Sequence, residues 1–239
     1  MISLSTIEQL AKSHQTDKVT IVREYFQHLF LSYFYQEKET DNIYFKGGTA
    51  LRVIYQSPRF SEDLDFSATN STVSSIENAI VTTLIKINKE GIKTEIKESK
   101  PTTGGYIGIV IFSGFEMTIP IHLEISFRRG VKSGETVVII NDYLPPYTIV
   151  RLNEKKLINE KITALLTRQK PRDFYDFYFL LRSRLIQEKD KKMFETVIET
   201  LRKSSVRFDR ELKVFLPKSH HILIRDFKKT LEQEIRRYI

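Results

Sequence analysis

KGGTALRVIYQSPRFSEDLDF, residues 46–66, carries the densest chemical information in this 239-residue chain. A short β-rich run, Ile43-Tyr44-Phe45, leads into it. Gly47-Gly48 then predicts a tight turn before a helix over about 49–56, which Pro58 ends. Bare backbone between a strand and a helix lets a phosphate approach closely, and the first amides of the helix favour the same anion. Thr49 adds a hydroxyl to that turn or simply caps the helix; Lys46 precedes it as a further candidate on the phosphate side. The end of the stretch, EDLDFS, alternates as a strand does. That sets Asp63 and Asp65 on one face and Leu64 and Phe66 on the other. Two carboxylates side by side repel each other unless a cation lies between them. Oxygen ligands alone suit Mg²⁺ or Mn²⁺, hard ions that bridge to substrate phosphates. Each half alone also reads as an ordinary turn or a solvated acidic strand; together they make a phosphate cradle beside a metal pair.

Working outward, residues 4–37 read as one helix and 73–90 as an amphipathic one, with Val73, Ile76, Ile80, Leu84 and Ile87 on one face and Gly91 as its stop. Strands are expected around 92–98, 106–112, 117–128 and 136–140, with Thr102-Thr103-Gly104-Gly105 as a hairpin turn. In MTIPIHLEISF, the positions Ile119, Ile121, Leu123, Ile125 and Phe127 alternate onto an apolar face. His122, Glu124 and Ser126 then take the other face. A third carboxylate completes a two-metal site, and Glu124 is the candidate, as metal ligand or general base. Its plainer reading is an exposed acid on a one-sided sheet.

Pro145-Pro146 is the clearest linker signal, and the charge changes there. Residues 1–150 hold 15 lysines and arginines against 17 acids, whereas residues 151–239 hold 23 against 13. A lobe of charge +10 attracts polyanions such as RNA or nucleoside triphosphates, or merely stays soluble. Beyond the prolines, helices are expected over about 153–169, 172–185, 189–203, 207–215 and 220–238. This gives two domains, a mixed α/β domain over 1–148 and a basic helical domain over 149–239. Within EKITALLTRQKPRDFYDFYFLL, residues 160–181, Lys161 and Arg168 stand two helical turns apart on one face. Pro171 marks the next helix start, with Asp173 and Asp176 in its first turn and on one side, where acids also simply complement the helix dipole. The aromatics from Phe174 to Phe179 fit a core better than a base-stacking platform.

The chain has no cysteine. This excludes disulfides, thiolate zinc sites, iron–sulfur clusters and cysteine nucleophiles, and it suits a reducing cytoplasm. At 41% hydrophobic and 28% charged, the composition is that of a globular protein and not of a disordered one. The opening MISLSTIEQLAKSH reads as no signal peptide, and the longest apolar run, YIGIVIF, is far short of a membrane span. A soluble cytoplasmic protein with no membrane partner is therefore expected. No P-loop or dinucleotide motif occurs, His122-Leu123-Glu124 lacks the cysteines of a zinc deaminase, and Arg172-Asp173-Phe174 lacks the rest of a kinase signature. His220-His221 reads as structural or exposed.

Gly47-Gly48-Thr49, Ser61-Glu62-Asp63-Leu64-Asp65-Phe66, and Lys161 followed by Arg172-Asp173-Phe174-Tyr175-Asp176 form an ordered set over residues 40–185. That set resembles the AbiEii/MenT group of bacterial nucleotidyltransferases. These are toxins of type IV-like toxin–antitoxin pairs within the DNA polymerase beta-like superfamily. Two positions depart from the superfamily's habit: Thr49 stands where serine is common, and Glu124 where the third acid is often Asp. The last 50 residues match no recognised pattern. The resemblance implies a nucleotidyltransferase-like α/β (α+β) fold, a mixed sheet with flanking helices plus a C-terminal helical domain. It implies transfer of NMP from an NTP to an acceptor hydroxyl, with tRNA 3′ ends as the hydroxyl source and an antitoxin protein as partner. Asp63 and Asp65 would hold two Mg²⁺ (or Mn²⁺) ions, and Gly47-Gly48-Thr49 the β and γ phosphates. Lys161 would neutralise the triphosphate with Arg168 in support, and Asp176 or Asp173 would position Lys161 or the nucleotide. A non-catalytic nucleotide- or RNA-binding inhibitor, and a transferase that labels protein side chains, stand as alternatives.

Overall fold

The computed structural model describes residues 1–128, 134–186 and 190–239. It divides into two units: residues 1–56 with 60–153, and residues 57–59 with 154–239. In the first unit, Ser3 caps α1 (Leu4–Ser13) and Asp17 caps α2 (Lys18–Phe34), its carboxylate accepting from Thr20 N–H at 2.6 Å. The sequence predicts a single helix here. The break comes at Gln15, whose φ is 53°, and the Asp17 cap restarts the helix in a new direction.

The strands are β1 (Ile43–Lys46), β2 (Leu64–Ala68), β3 (Lys93–Thr102), β4 (Gly105–Gly114), β5 (Met117–Phe127), β6 (Gly134–Ile139) and β7 (Tyr147–Leu152). They form one mixed sheet in the order β3-β4-β5-β2-β1-β7-β6. β2 pairs antiparallel with β1 and parallel with β5, so the acid-bearing strand is central. α3 (Gly47–Tyr55) connects β1 toward β2, and α4 (Val73–Lys89) follows β2 behind a Thr72–Ser75 capping box. The expected hairpin is present, with Thr102 paired to Gly105. β7, YTIVRL, was not expected from the sequence. It follows the prolines directly and pairs with both β6 and β1, so residues 149–152 belong to the sheet and not to the helical lobe.

Aromatic packing holds one face of the sheet to α2. Phe26 stacks on Phe112 of β4 at 5.2 Å between ring centroids, and Phe34 meets Phe66 of β2 at 5.4 Å. Along β5, Ile119, Ile121, Leu123 and Ile125 are buried and Pro120, His122 and Glu124 exposed, as the alternation predicts. Polar residues also enter the core. The buried Glu24 of α2 accepts from Arg52 of α3 at 2.5 Å and from Tyr143 Oη at 2.6 Å. Burial disfavours its charge, but Arg52 outweighs burial and holds the carboxyl below its usual value. One turn on, His28 Nδ1 lies 2.8 Å from Tyr147 Oη.

In the second unit, α5 (Glu154–Arg168) and α6 (Pro171–Arg182) are followed by α7 (Lys191–Lys203), α8 (Phe208–Leu212), α9 (His221–Arg225) and α10 (Phe227–Arg236). Phe174, Tyr175 and Phe177 are core residues. Phe174 packs edge-on against Phe208 at 5.4 Å, and Phe227 stacks on Tyr175 at 5.9 Å. The single helix expected over 220–238 is interrupted at Asp226, whose ψ of 36° is not helical. Among the described residues, no helix is long and apolar enough to cross a membrane.

His28 gives the first unit a measurable pH dependence. Burial lowers its pKa from 6.5 to about 4, so the folded chain refuses a proton that the unfolded chain accepts. Stability therefore falls as pH drops below 6.5, by about 1–2 kcal/mol down to pH 5. His28→Gln is expected to flatten that part of the curve when urea midpoints are compared between pH 7 and 5. An equally steep dependence in the variant would contradict a buried neutral imidazole.

Candidate functional site

The end of β1 and the start of β2 meet at the pair Lys46↔Asp65, and α3 begins at the next residue, Gly47. Gly47 has φ +84°, where side chains are strained. A Cβ built on it would lie 2.0 Å from Asp65 Oδ2 and 2.7 Å from Asp65 Cβ. The carboxylate thus rests directly on the bare α-carbon that opens the helix, and a glycine is required for two separate reasons. No side chain of Lys46 caps α3. Its first amides are of the kind that favour an anion.

Thr49 is buried, and its hydroxyl donates to the backbone carbonyl of Asp63. That bond fixes the chain just ahead of the acids and aims the hydroxyl at the protein itself. Asp63 lies one residue before β2, so strand alternation does not place its side chain; the ladder starts at Leu64, opposite Leu123. Gln27 of α2, buried in the core, secures the same approach, its Nε2 donating to Ser61 O at 3.0 Å and Glu62 O at 2.9 Å. Arg23 of α2 pairs with Glu62 at 3.0 Å.

Glu124 of β5 is the register partner of Asp65 in the parallel ladder. Partners across a ladder share a face, so Lys46, Asp65 and Glu124 form a row across three strands, on the side away from Phe66 and α2. Asp63 is half-buried and Glu124 exposed, and among the described residues neither carboxylate has a hydrogen-bond or ion-pair partner. An oxygen-only pair of acids fits a hard divalent ion. No group of three or more acids or histidines converges as a metal cluster among the described residues.

The second dense stretch forms a separate constellation. Asp176, fully buried, accepts from Arg59 Nε at 2.7 Å on Oδ1 and from Arg59 Nη2 at 3.0 Å on Oδ2. Lys161 Nζ donates to the same Oδ2 at 2.8 Å. Burial would raise the carboxyl's pKa, but the two cations outweigh it and hold the pKa below its ordinary value. Asp173 is committed elsewhere. Its Oδ1 accepts from Arg168 at 2.6 Å and its Oδ2 from the Lys170 amide at 3.2 Å, so it caps α6 and ties it to the end of α5. Of the two acids, Asp176 is the one that meets Lys161. Much of the basic surface is locally offset: Arg202 and Arg236 share Glu232, Lys191 lies 3.9 Å from Glu195, and Lys203 lies 3.8 Å from Glu199. Lys189 falls outside the described residues.

Sequence reading missed Gln27, Glu24 and Arg59. The first two lie among the buried residues of α2, a helix that also carries Arg23 and His28, so their polarity alone did not single them out. Arg59 had no local signal, since its partner Asp176 is 117 residues away.

Comparison with known proteins agrees with this fold. The model of the family described as nucleotidyl transferase AbiEii toxin, type IV TA system, matches residues 29–238. The match therefore includes the C-terminal helices, which the sequence reading left unassigned. No curated protein matches the chain. Among solved structures, JHP933 from Helicobacter pylori superposes with a TM-score of 0.56 at 18% identity, covering 93% of this chain and 95% of that one. A second H. pylori chain, provisionally assigned as a nucleotidyltransferase, gives 0.51 at 18% identity, covering 92% and 97%. Likeness at this identity establishes a common fold.

Two glycines with the same φ of +84° separate backbone strain from the acid contact. A Cβ added at Gly91 would meet nothing within 4 Å, whereas one at Gly47 meets Asp65. Gly91→Ala is expected to cost about 1–2 kcal/mol by urea denaturation. Gly47→Ala is expected to cost about 1–3 kcal/mol more, the range for overpacking. Equal losses would show that Asp65 yields freely.

Proposed function

The chain belongs to the AbiEii family of nucleotidyl transferase toxins of type IV toxin–antitoxin systems, and on that premise we propose that it transfers NMP from an NTP to a hydroxyl of RNA, in particular the tRNA 3′ end. The observation that carries this reading is the seating of Asp65 on Gly47. A group that attracts cations lies against a helix start that attracts anions, the arrangement a metal-bridged phosphate requires.

In this reading Asp63 and Asp65 hold Mg²⁺ or Mn²⁺, which when bound stabilises charge on the attacking and leaving oxygens. Gly47 and Gly48 admit the phosphates against the α3 amides. Thr49, its hydroxyl tied to Asp63, sets the acid's backbone in place. Glu124, exposed and beside Asp65, is the candidate to take the acceptor hydroxyl's proton. The acceptor oxygen bonds to the α-phosphorus as the bond to pyrophosphate breaks. Lys161 supplies positive charge to the nucleotide's phosphates, and Lys46 stands at the same turn as Gly47. Arg168 serves chiefly to hold Asp173. Such catalysis is alignment and charge neutralisation, so loss of one central acid removes most of it. The excess of cations after residue 150 supports a polyanionic acceptor, and the family supports a cognate antitoxin as partner.

Incubation with each α-labelled NTP, Mg²⁺, total RNA and total protein tests this. Label is expected on RNA, and Asp65→Asn is expected to reduce it by at least about 10²-fold. The variant's unfolding midpoint should stay within a few degrees of the parent's. Label on protein alone would favour a protein-modifying transferase. Growth arrest without any label would favour inhibition by occupancy. Full activity in Asp65→Asn would end the metal reading.

Binding to RNA should also respond to salt. Neutralised phosphates release counterions, so tRNA affinity is expected to fall at least about tenfold between 50 and 200 mM salt, measured by filter binding. Lys161→Ala is expected to leave that dependence unchanged while abolishing growth arrest. A tRNA affinity that stays flat over this range would remove the backbone contact.

A further inference from the structure

We infer that Arg59 is a positioning residue: by cancelling the charge of Asp176, it leaves the Lys161 ammonium as a surplus cation available to phosphate. The inference rests on the reading that Lys161 meets the nucleotide.

Three side chains of the second unit carry the argument. Arg59 is 3% exposed, Asp176 2% and Lys161 11%. The Arg59 fork spans both carboxylate oxygens, at 2.7 and 3.0 Å, the two-point geometry that arginine has and lysine lacks. Lys161 reaches one of the same oxygens at 2.8 Å. A buried Lys–Asp pair alone would be neutral, and its lysine would be consumed by its partner. With Arg59 present, two cations share one anion, and the trio carries a formal charge of +1. The nearby Asp173 also acts on Arg59, but it is itself paired with Arg168 at 2.6 Å, so that second pair adds no net charge to the count. A net charge kept this far from water is unfavourable unless a counter-ion completes it. Lys161, the most exposed of the three, is the member that can meet one, and the anionic phosphates of a nucleotide have the right chemistry.

This charge count is open to a compensation experiment. Inorganic tripolyphosphate is the probe, since it presents phosphates without a base, and binding is measured by calorimetry with Mg²⁺. Arg59→Gln takes the trio from +1 to neutral and is expected to weaken binding by at least about tenfold, as loss of a charge-assisted contact does. Asp176→Asn added to Arg59→Gln returns the trio to +1, and is expected to recover affinity to within about threefold of the parent. A purely structural role predicts the reverse, a double variant no better than the single one. Arg59→Lys keeps the charge but loses the fork, and is expected to bind more weakly than the parent yet more tightly than Arg59→Gln.

Binding by Arg59→Gln equal to the parent's, or a double variant as weak as Arg59→Gln, overturns the inference. So does an Arg59→Lys chain that cannot be recovered folded, because geometry and not charge would then be what residue 59 supplies. Trace acetylation of the parent separates this inference from the reading beneath it. Lys161 is expected to be protected by tripolyphosphate. Absence of protection would remove the phosphate role of Lys161 itself; protection together with charge-insensitive variants would remove only the role of Arg59.

Discussion

The carboxylate of Asp65 sits where a side chain on residue 47 would have to be, with its Oδ2 2.0 Å from the position a Cβ would take. That contact requires the last pair of the β1/β2 ladder, Lys46↔Asp65, to fall at the residue before the helix starts. A slip of one residue would turn Asp65 into the aromatic face held by Phe34 and Phe66 and send Phe66 out. The other features of the first unit act on this register. Thr49 binds the carbonyl of Asp63, Gln27 binds the carbonyls of Ser61 and Glu62, and Glu24 anchors α3 through Arg52. Each places a buried polar group where it is satisfied, and each fixes the entry or exit of the two strands.

The second unit handles charge differently. The first unit leaves the carboxylates of Asp63 and Glu124 without protein partners among the described residues. The second unit surrounds one buried carboxylate with two cations. In the proposed reading the acids serve a divalent ion and the cations a phosphate, because a nucleotidyltransferase's substrate is a polyanion carried by divalent ions. The surface charge is a third matter. Several of the basic residues after position 190 share acids on their own or neighbouring helices, so the formal +10 overstates the free positive surface.

The local pattern was informative where chemistry depends on neighbours in the chain. Gly47-Gly48 between a strand and a helix, the alternation of β5, and Asp65 on the second strand were legible, and with them the mixed sheet and the helical C-terminal region, whereas Asp63 falls just before that strand. The pattern misled where apolar periodicity ran through a break. Helices α1 and α2 read as one, and so did α9 and α10, because a short break leaves apolar positions recurring on both sides of it. β7 was hidden by the two prolines ahead of it, which mark the end of one element but say nothing of the strand that follows.

What the sequence determined by itself was the chemistry on offer: no thiols, two acids separated by one residue, a glycine pair between a strand and a helix, and a lysine followed by two acids. Tertiary structure alone decided how those groups are used. It assigned Asp173 to a helix cap and Asp176 to Lys161, although both acids share a helix and the spacing allowed either. It turned the Thr49 hydroxyl toward the protein, and it brought Arg59 to a carboxylate 117 residues away. The physical reason is that an acid's role depends on which cations share its low-dielectric surroundings. Those neighbours come from distant parts of the chain, and only folding selects them.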